Sequence, residues 1–375
     1  MSLNCGIVGL PNVGKSTIFQ ALSGCAAEAA NYPFCTINPN TGIVNVPDER
    51  LVRLSALFKP LRTIPAAVEF VDIAGLVKGA SCGEGLGNQF LSHIRETAVL
   101  AHVVRCFDDG NIVHVQNKVD PEADMEVIDI ELALADLDTL AKRKERALRA
   151  LKVQAKTEQK AAGTVLAALQ KIGPLLEDGK SARIAALTGD EEEAVRDCNF
   201  ITMKPRLYVC NTDEAGAREA AGGGIGNAYI EAVKKRAVAE GTEAVVICGK
   251  FEAELAEITD PEEKASFLAD LGLKESGLSW LIRAAYRLLG LATFFTAGAD
   301  ECRAWTIHRG DTAPKAAGVI HTDFEKGFIK AEVYSFDDIA QYGTEAKIKE
   351  AGKYRQEGRE YVVRDGDVMF FRFNN

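Results

Sequence analysis

CGIVGLPNVGKST, residues 5–17, sets a short apolar run before a glycine-rich turn and then helix-forming sequence. This is the order strand, loop, helix. Gly9, Gly14, Lys15 and Ser16 fit the pattern G-x-x-x-x-G-K-[ST], and each residue type has a physical task. The glycines let backbone N–H groups turn inward as an anion nest, Lys15 reaches the β- and γ-phosphates, and the Ser16 hydroxyl can ligate Mg²⁺. Asn12, Val13, Gly14, Lys15, Ser16 and Thr17 are therefore the expected phosphate contacts. The helix predicted over about 15–23, closed by Gly24, adds the positive end of its dipole.

Outward from this loop, the chain has 375 residues, enough for two or three domains. Its formal charge of −10 excludes a polycation built to coat nucleic acid or an anionic membrane, so no DNA partner is expected. No uncharged apolar run reaches membrane length, and MSLNCGIVGL has no basic stretch of a signal peptide, so a cytoplasmic protein with no membrane partner is expected. Nine cysteines without a C-x-x-C pair read as reduced thiols rather than a zinc site or a disulfide framework.

The polar loop NYPFCTINPN (31–40) carries Thr36, placed to close over Mg²⁺ and the γ-phosphate as a switch. AAVEFVDIAGLVKGA (66–80) reads as a β-branched strand that delivers Asp72 to the metal. Asp72 and Gly75 form D-x-x-G, in which the Gly75 N–H senses the γ-phosphate. Ser16, Thr36 and Asp72 are thus the expected metal ligands. Together these features specify a P-loop NTPase of the GTPase-like class. The residue after D-x-x-G, often a glutamine that orients water, is Leu76, which cannot hydrogen-bond.

GLPNVGKST, NYPFCTINPN and DIAGLVKGASCGEGLGNQFLSHIRE closely resemble the Obg-like ATPase (YchF) family. The resemblance continues through HVVRCF, ELALADLD, APKAAGVIHTDFEKGFIKAEVYSF and DGDVMFFRF, and so covers almost the whole chain. It implies ATP rather than GTP, a helical insert in the nucleotide domain, and a C-terminal TGS domain of ubiquitin-like shape. The expected fold class is α/β: a P-loop GTPase-like domain over 1–290 with a helical hairpin insert at about 124–200, then a β-grasp (TGS) domain over 291–375. His114, in NIVHV, matches the family residue implicated in hydrolysis, and a neutral imidazole can orient or deprotonate water. By sequence alone, a histidine between Val113 and Val115 also suits packing. Asn12 can offer its amide oxygen to a K⁺ ion beside the phosphates.

Helical pattern runs from about 124 to about 178 with a polar break at TEQKAAG (157–163), which predicts a hairpin. Ile130, Leu134, Leu137, Leu148, Leu151 and Ala155 fall on one expected apolar face. Residues 119–138 hold eight acids and no Lys or Arg, whereas 141–160 hold eight Lys or Arg against Glu145 and Glu158. Two readings compete: charges sorted for the helix dipole and solubility, or a basic arm for ribosomal or transfer RNA phosphates. Thr188 and Glu191 have capping-box spacing. Toward the C-terminus, CRAWTIH, APKAAGVIH and GFIKAEVYSF read as strand, helix, strand, and YVVRDGDVMFFRF as a hairpin around Asp-Gly.

Two segments compete for the base. Residues 117–120 spell NKVD, a full guanine motif, and 211–214 spell NTDE, which is not. A base reader must sit at the C-terminal end of a sheet strand, and NTDE follows the apolar strand RLYVC. Asn211 and Thr212 are therefore the expected base contacts, with ATP preferred. The expected function is a Mg²⁺-dependent ATPase acting as a nucleotide-controlled switch at ribosomes or their RNA. The alternatives are a GTPase of the same fold, or a nucleotide-gated binding module with incidental hydrolysis.

Overall fold

The computed structural model describes residues 4–24, 40–73, 86–116, 118–153, 155–224 and 226–374. Thr36, Gly75, Leu76 and Asn117 lie outside the described residues. In chain order come β1 (Asn4–Val8), α1 (Lys15–Gly24), β2 (Thr41–Asn45), α2 (Glu49–Phe58), β3 (Arg62–Ile64), β4 (Ala67–Asp72), α3 (Leu86–Glu96) and β5 (Val99–Arg105). Then follow α4 (Pro121–Ala150), α5 (Lys156–Glu177), α6 (Gly189–Val195), β6 (Arg206–Asn211), α7 (Glu214–Ala221), α8 (Ala228–Ala239), β7 (Ala244–Ile247), α9 (Gly249–Glu257) and α10 (Pro261–Asp270). α11 (Gly277–Leu288) leads to β8 (Leu291–Ala297), β9 (Glu301–His308), α12 (Ala313–Ile320), α13 (Thr322–Lys326) and β10 (Phe328–Ser335). α14 (Phe336–Tyr342), α15 (Glu345–Glu350), β11 (Arg355–Glu357) and β12 (Asp367–Phe373) complete the order.

The first sheet has the order β2-β4-β1-β5-β6-β7. β1, β5 and β6 are buried along their whole length, as continuous apolar runs are when helices cover both faces of a parallel sheet. Their pairings are parallel, Cys5 opposite Val99 and Val104 opposite Cys210. Parallel neighbours need a crossover, and between β5 and β6 that crossover contains the helical insert. The C-terminal ends of these strands deliver their loops to one edge, where ligands bind in such sheets.

The hairpin of α4 and α5 forms, with its break earlier than expected. α4 ends at Ala150 and α5 begins at Lys156, so 157–163 lie inside α5. Gln159, read as part of a polar break, donates its amide to Leu151 O (3.3 Å) and Val153 O (2.8 Å) and so satisfies carbonyls left open by the end of α4. The expected apolar face is also displaced: Ile130, Leu134, Leu148 and Leu151 are exposed, whereas Ile128, Leu132, Ala133 and Ala147 are buried. Three acids of the 119–138 run displace it. Asp124, Asp129 and Asp136 are buried, and each has partners on other segments. Asp129 pairs with Arg206 and, at 2.6 Å, with Arg236. Asp136 accepts from Ile201 N (2.9 Å), Thr202 N (2.8 Å) and Thr202 Oγ1 (2.7 Å). The acidic run is therefore no solvated face, while Lys142, Lys144, Arg146 and Arg149 are exposed. Thr188 and Glu191 form the reciprocal capping box that starts α6.

Chain contacts give two compact units: one holds the chain up to Gly24 and Phe70–Leu278, the other Ile43–Glu69 and Ser279–Asn375. The expected division at 290 follows chain order, and these units do not. Residues 43–69 join the C-terminal segment because β3 pairs in parallel with β9, Thr63 opposite Cys302. The second sheet has the order β11-β10-β12-β8-β9-β3. Ala313, Ala316 and Ala317 let α12 lie close on a core of Phe294, Val333 and Phe371, a β-grasp arrangement. The expected hairpin over 361–373 does not form. Tyr361 O accepts from Ala313 N (2.8 Å) and Val363 N donates to Asp311 O (3.0 Å), so this segment is committed to the start of α12. β12 alone enters the sheet, antiparallel to β10 and parallel to β8.

Candidate functional site

β1 ends in a turn whose geometry only glycine permits at two points. A Cβ on Gly9 would lie 2.5 Å from Val103 O, and one on Gly14, at φ +93°, 2.1 Å from the Asn211 amide nitrogen. Lys15 opens α1 and is buried, its Nζ donating to Leu10 O at 2.6 Å. Burial brings its ammonium down to about 8, against the opposing pull of Asp72. Ser16 and Thr17 are exposed at the start of the helix.

Asp72 ends β4. Burial raises its carboxyl above the usual range while Lys15 opposes, and its Oδ1 is buried without a hydrogen-bond partner among the described residues. A buried, unpartnered carboxylate oxygen is costly unless something cationic completes it. That oxygen, facing the Lys15 whose neighbour Ser16 exposes its hydroxyl at the start of α1, is of the kind that suits a hard divalent cation such as Mg²⁺.

Asn211, at the end of β6, is buried and ties two loops together. Its amide donates to Val13 O (2.8 Å) and its Oδ1 accepts from Gly249 N (2.9 Å). Thr212 is equally committed: its hydroxyl donates to Cys106 O at 3.2 Å, beside Asn227, whose amide donates to the same carbonyl at 2.7 Å. A cavity of about 600 Å³ opens here, lined by Asn12, Gly14, Phe107, Asn211, Glu214 and Lys250 among others. That volume suits a nucleotide. Of the NKVD segment, the described residues 118–120 do not line it: Asp120 caps α4, accepting from Ala123 N at 3.3 Å, and Lys118 is exposed.

The loop after β5 forms another wall. Arg105, 1% exposed, sends its guanidinium to the carbonyls of Phe107 (3.1 Å), Asp109 (3.2 Å) and Ile112 (3.0 Å). Farther along, Val113 O accepts from the Asn12 amide at 3.2 Å, which brings the loop carrying His114 against the phosphate loop. His114 is buried: Nδ1 accepts from Gln116 N at 3.1 Å, so Nε2 carries the hydrogen and donates to Asp124 Oδ2 at 2.9 Å. Asn12, Gly14, Thr17, Asn211 and Thr212 thus share one cavity, with His114 on an adjoining loop. Thr36 and Gly75 lie outside the described residues. Sequence reasoning missed Arg105 and Asp124. A charge closing the apolar strand VLAHVVR was the available signal for Arg105, and an acid in the first turn of an Asp-Pro-capped helix the weaker one for Asp124.

Comparison with known proteins places this site in context. A family model described as a 50S ribosome-binding GTPase matches residues 4–146, and the YchF-GTPase C-terminal model, described as a protein of unknown function, matches 291–374. The chain is 54% identical over 374 residues to proteins named ribosome-binding ATPase YchF from Haemophilus ducreyi and Escherichia coli O157:H7, and 51% identical to that of Bacillus subtilis strain 168; each match covers 100% of both chains. A solved structure of the Schizosaccharomyces pombe YchF GTPase superposes with a TM-score of 0.86 at 38% identity, covering 99% of this chain and 98% of that one.

Proposed function

The chain belongs to the YchF family, and from that premise we propose that it is an ATPase whose nucleotide state controls its association with ribosomes. The observation that carries this reading is the phosphate loop braced by Asn211, with Lys15 and Asp72 acting on each other beside it. The backbone from Asn12 to Thr17 and Lys15 hold the phosphates. Ser16, Thr36 and Asp72 would hold Mg²⁺, which would supply charge neutralisation to the phosphates. The Asn12 side chain, whose nitrogen is spent on Val113 O, has its oxygen left for K⁺. Gly75, outside the described residues, is the proposed γ-phosphate sensor. Asn211 and Thr212 frame the base through the loops they fix, and ATP is preferred because Asp120, the partner a guanine would need, is occupied capping α4.

With Leu76 unable to orient water, His114 takes that task. Water's oxygen bonds to the γ-phosphorus as the bond from phosphorus to the bridging oxygen breaks, leaving its electron pair on ADP. The water proton passes to the imidazole and on to the released phosphate. The exposed basic half of the hairpin offers the cations for ribosomal RNA. No helix among the described residues is long and apolar enough to cross a membrane, and work at ribosomes belongs to the cytoplasm. We retain 1–290 as the nucleotide-binding part and 291–375 as the TGS part.

Single-turnover hydrolysis of ATP and GTP, with and without ribosomes, tests this. ATP should be preferred, ribosomes should accelerate turnover, and His114→Ala should slow it at least about tenfold, about 1.4 kcal/mol in the barrier, with ATP affinity unchanged. Wild-type turnover by a folded His114→Ala protein would return His114 to a packing role.

A further inference from the structure

We propose that Asp124 is the positioning residue of His114, forming with it an aspartate–histidine dyad that aims the Nδ1 lone pair at the attacking water. The inference rests on the reading of His114 as the group that handles water. Four observations carry it. The two side chains are buried, and Asp124 Oδ2 lies 2.9 Å from Nε2. The Gln116 N–H fixes which nitrogen holds the proton, because a backbone N–H can only donate, leaving Nε2–H to face the carboxylate. Asp124 comes from the first turn of α4, a thirty-residue helix, so the acceptor sits on a rigid element while the histidine sits on a loop. Finally, Asp124 Oδ1 is buried without a hydrogen-bond partner among the described residues.

A carboxylate used only to pin a loop would gain most by satisfying both oxygens. One oxygen spent on the imidazole and the other without a partner among the described residues leaves charge available to an imidazolium as it forms. Burial raises the Asp124 carboxyl and His114 opposes that; Asp120 acts with burial, and Arg105 at the end of β5 acts against it. The Cys106 thiol also feels Asp124. In this arrangement Nδ1 is held by Gln116 N–H. Use of that lone pair on water requires the Gln116 hydrogen bond to open, and the contact with Asp124 is the one that keeps the ring's far edge in place. The dyad then has the base-plus-orienter form that general-base catalysis requires.

The test is single-turnover ATP hydrolysis by the full chain across pH 5.5–9 for wild type, Asp124→Asn, His114→Ala and the double variant, with ATP affinity measured alongside. Asp124→Asn should keep ATP affinity within about threefold, lower the rate about tenfold or more, and move the acidic limb of the rate profile down by about one pH unit, because a neutral amide no longer stabilises imidazolium. The double variant should be no slower than His114→Ala. An unmoved acidic limb, or a further loss in the His114→Ala background, would overturn the proposal and leave Asp124 as a loop anchor. Wild-type turnover by His114→Ala would instead sink the underlying reading of His114. Should Asp124→Asn fail to fold, ¹⁵N-histidine spectra of the wild type decide: the Nε2–H tautomer at His114 supports the dyad, and the Nδ1–H tautomer removes it.

Discussion

Asn211→Ala should damage the fold before it damages base recognition. Its amide makes two hydrogen bonds between segments far apart in sequence, to Val13 O at 2.8 Å and from Gly249 N at 2.9 Å. Val13 and Gly249 are both buried, so truncation strands a carbonyl and an N–H that little water can reach. Each stranded group costs about 1–3 kcal/mol, and partial relaxation brings the pair to about 2–4 kcal/mol. Asn211→Asp should be no milder, since it keeps an acceptor for Gly249 N but sets a carboxylate oxygen against Val13 O. Urea denaturation without nucleotide measures the loss directly, and calorimetry with ATP and GTP shows that both affinities fall together as the phosphate loop loosens. If Asn211→Ala kept its stability within about 0.5 kcal/mol while losing ATP far more than GTP, Asn211 would be a base reader and the brace would carry no weight.

Two further outcomes follow from particular residues. Asp120→Ala should cost about 1 kcal/mol through the lost cap of α4 and leave the ratio of ATP to GTP affinity unchanged; a shift in that ratio would restore the NKVD segment as the reader. Burial pushes the Glu252 carboxyl from 4.5 up to about 7, against the N–H groups of Gly277 and Leu278, the Ser276 hydroxyl and Lys264. The folded state therefore binds the proton more tightly than the unfolded chain, and stability falls as pH rises from 4.5 to about 7, by roughly 3 kcal/mol. Glu252→Gln removes that dependence, so denaturation midpoints at acid and alkaline pH should converge relative to wild type, and a constant offset would refute the assignment.

The phosphate loop was legible because its chemistry is local: spacing, glycines and a lysine within one turn specify both backbone and ligand. The parallel sheet was legible in the apolar runs, and α6 in the Thr188–Glu191 pair. Other features depend on partners far along the chain. Asn211 reads from sequence as a base contact, and its brace between Val13 and Gly249 is visible only in the fold. The acids at 124, 129 and 136 look like a solvated helix face, and only the fold brings His114, Arg206 and Thr202 to them. An Asp-Gly pair marks a turn without saying what the chain on each side pairs with, and so 361–364 was assigned to the wrong partner.

Arg105 grips the loop after β5 by its carbonyls at residues 107, 109 and 112, and its guanidinium also lies over the Phe107 ring, 4.7 Å from the centroid. Every amino acid owns a carbonyl, so apart from the Phe107 ring the clamp is indifferent to which side chains it holds in place. One wall of the cavity can therefore be rewritten by substitution, at Asp108 or Ile112 for instance, without erasing the shape that presents it. Libraries aimed at altered nucleotide choice would do best to vary these positions and leave the arginine alone.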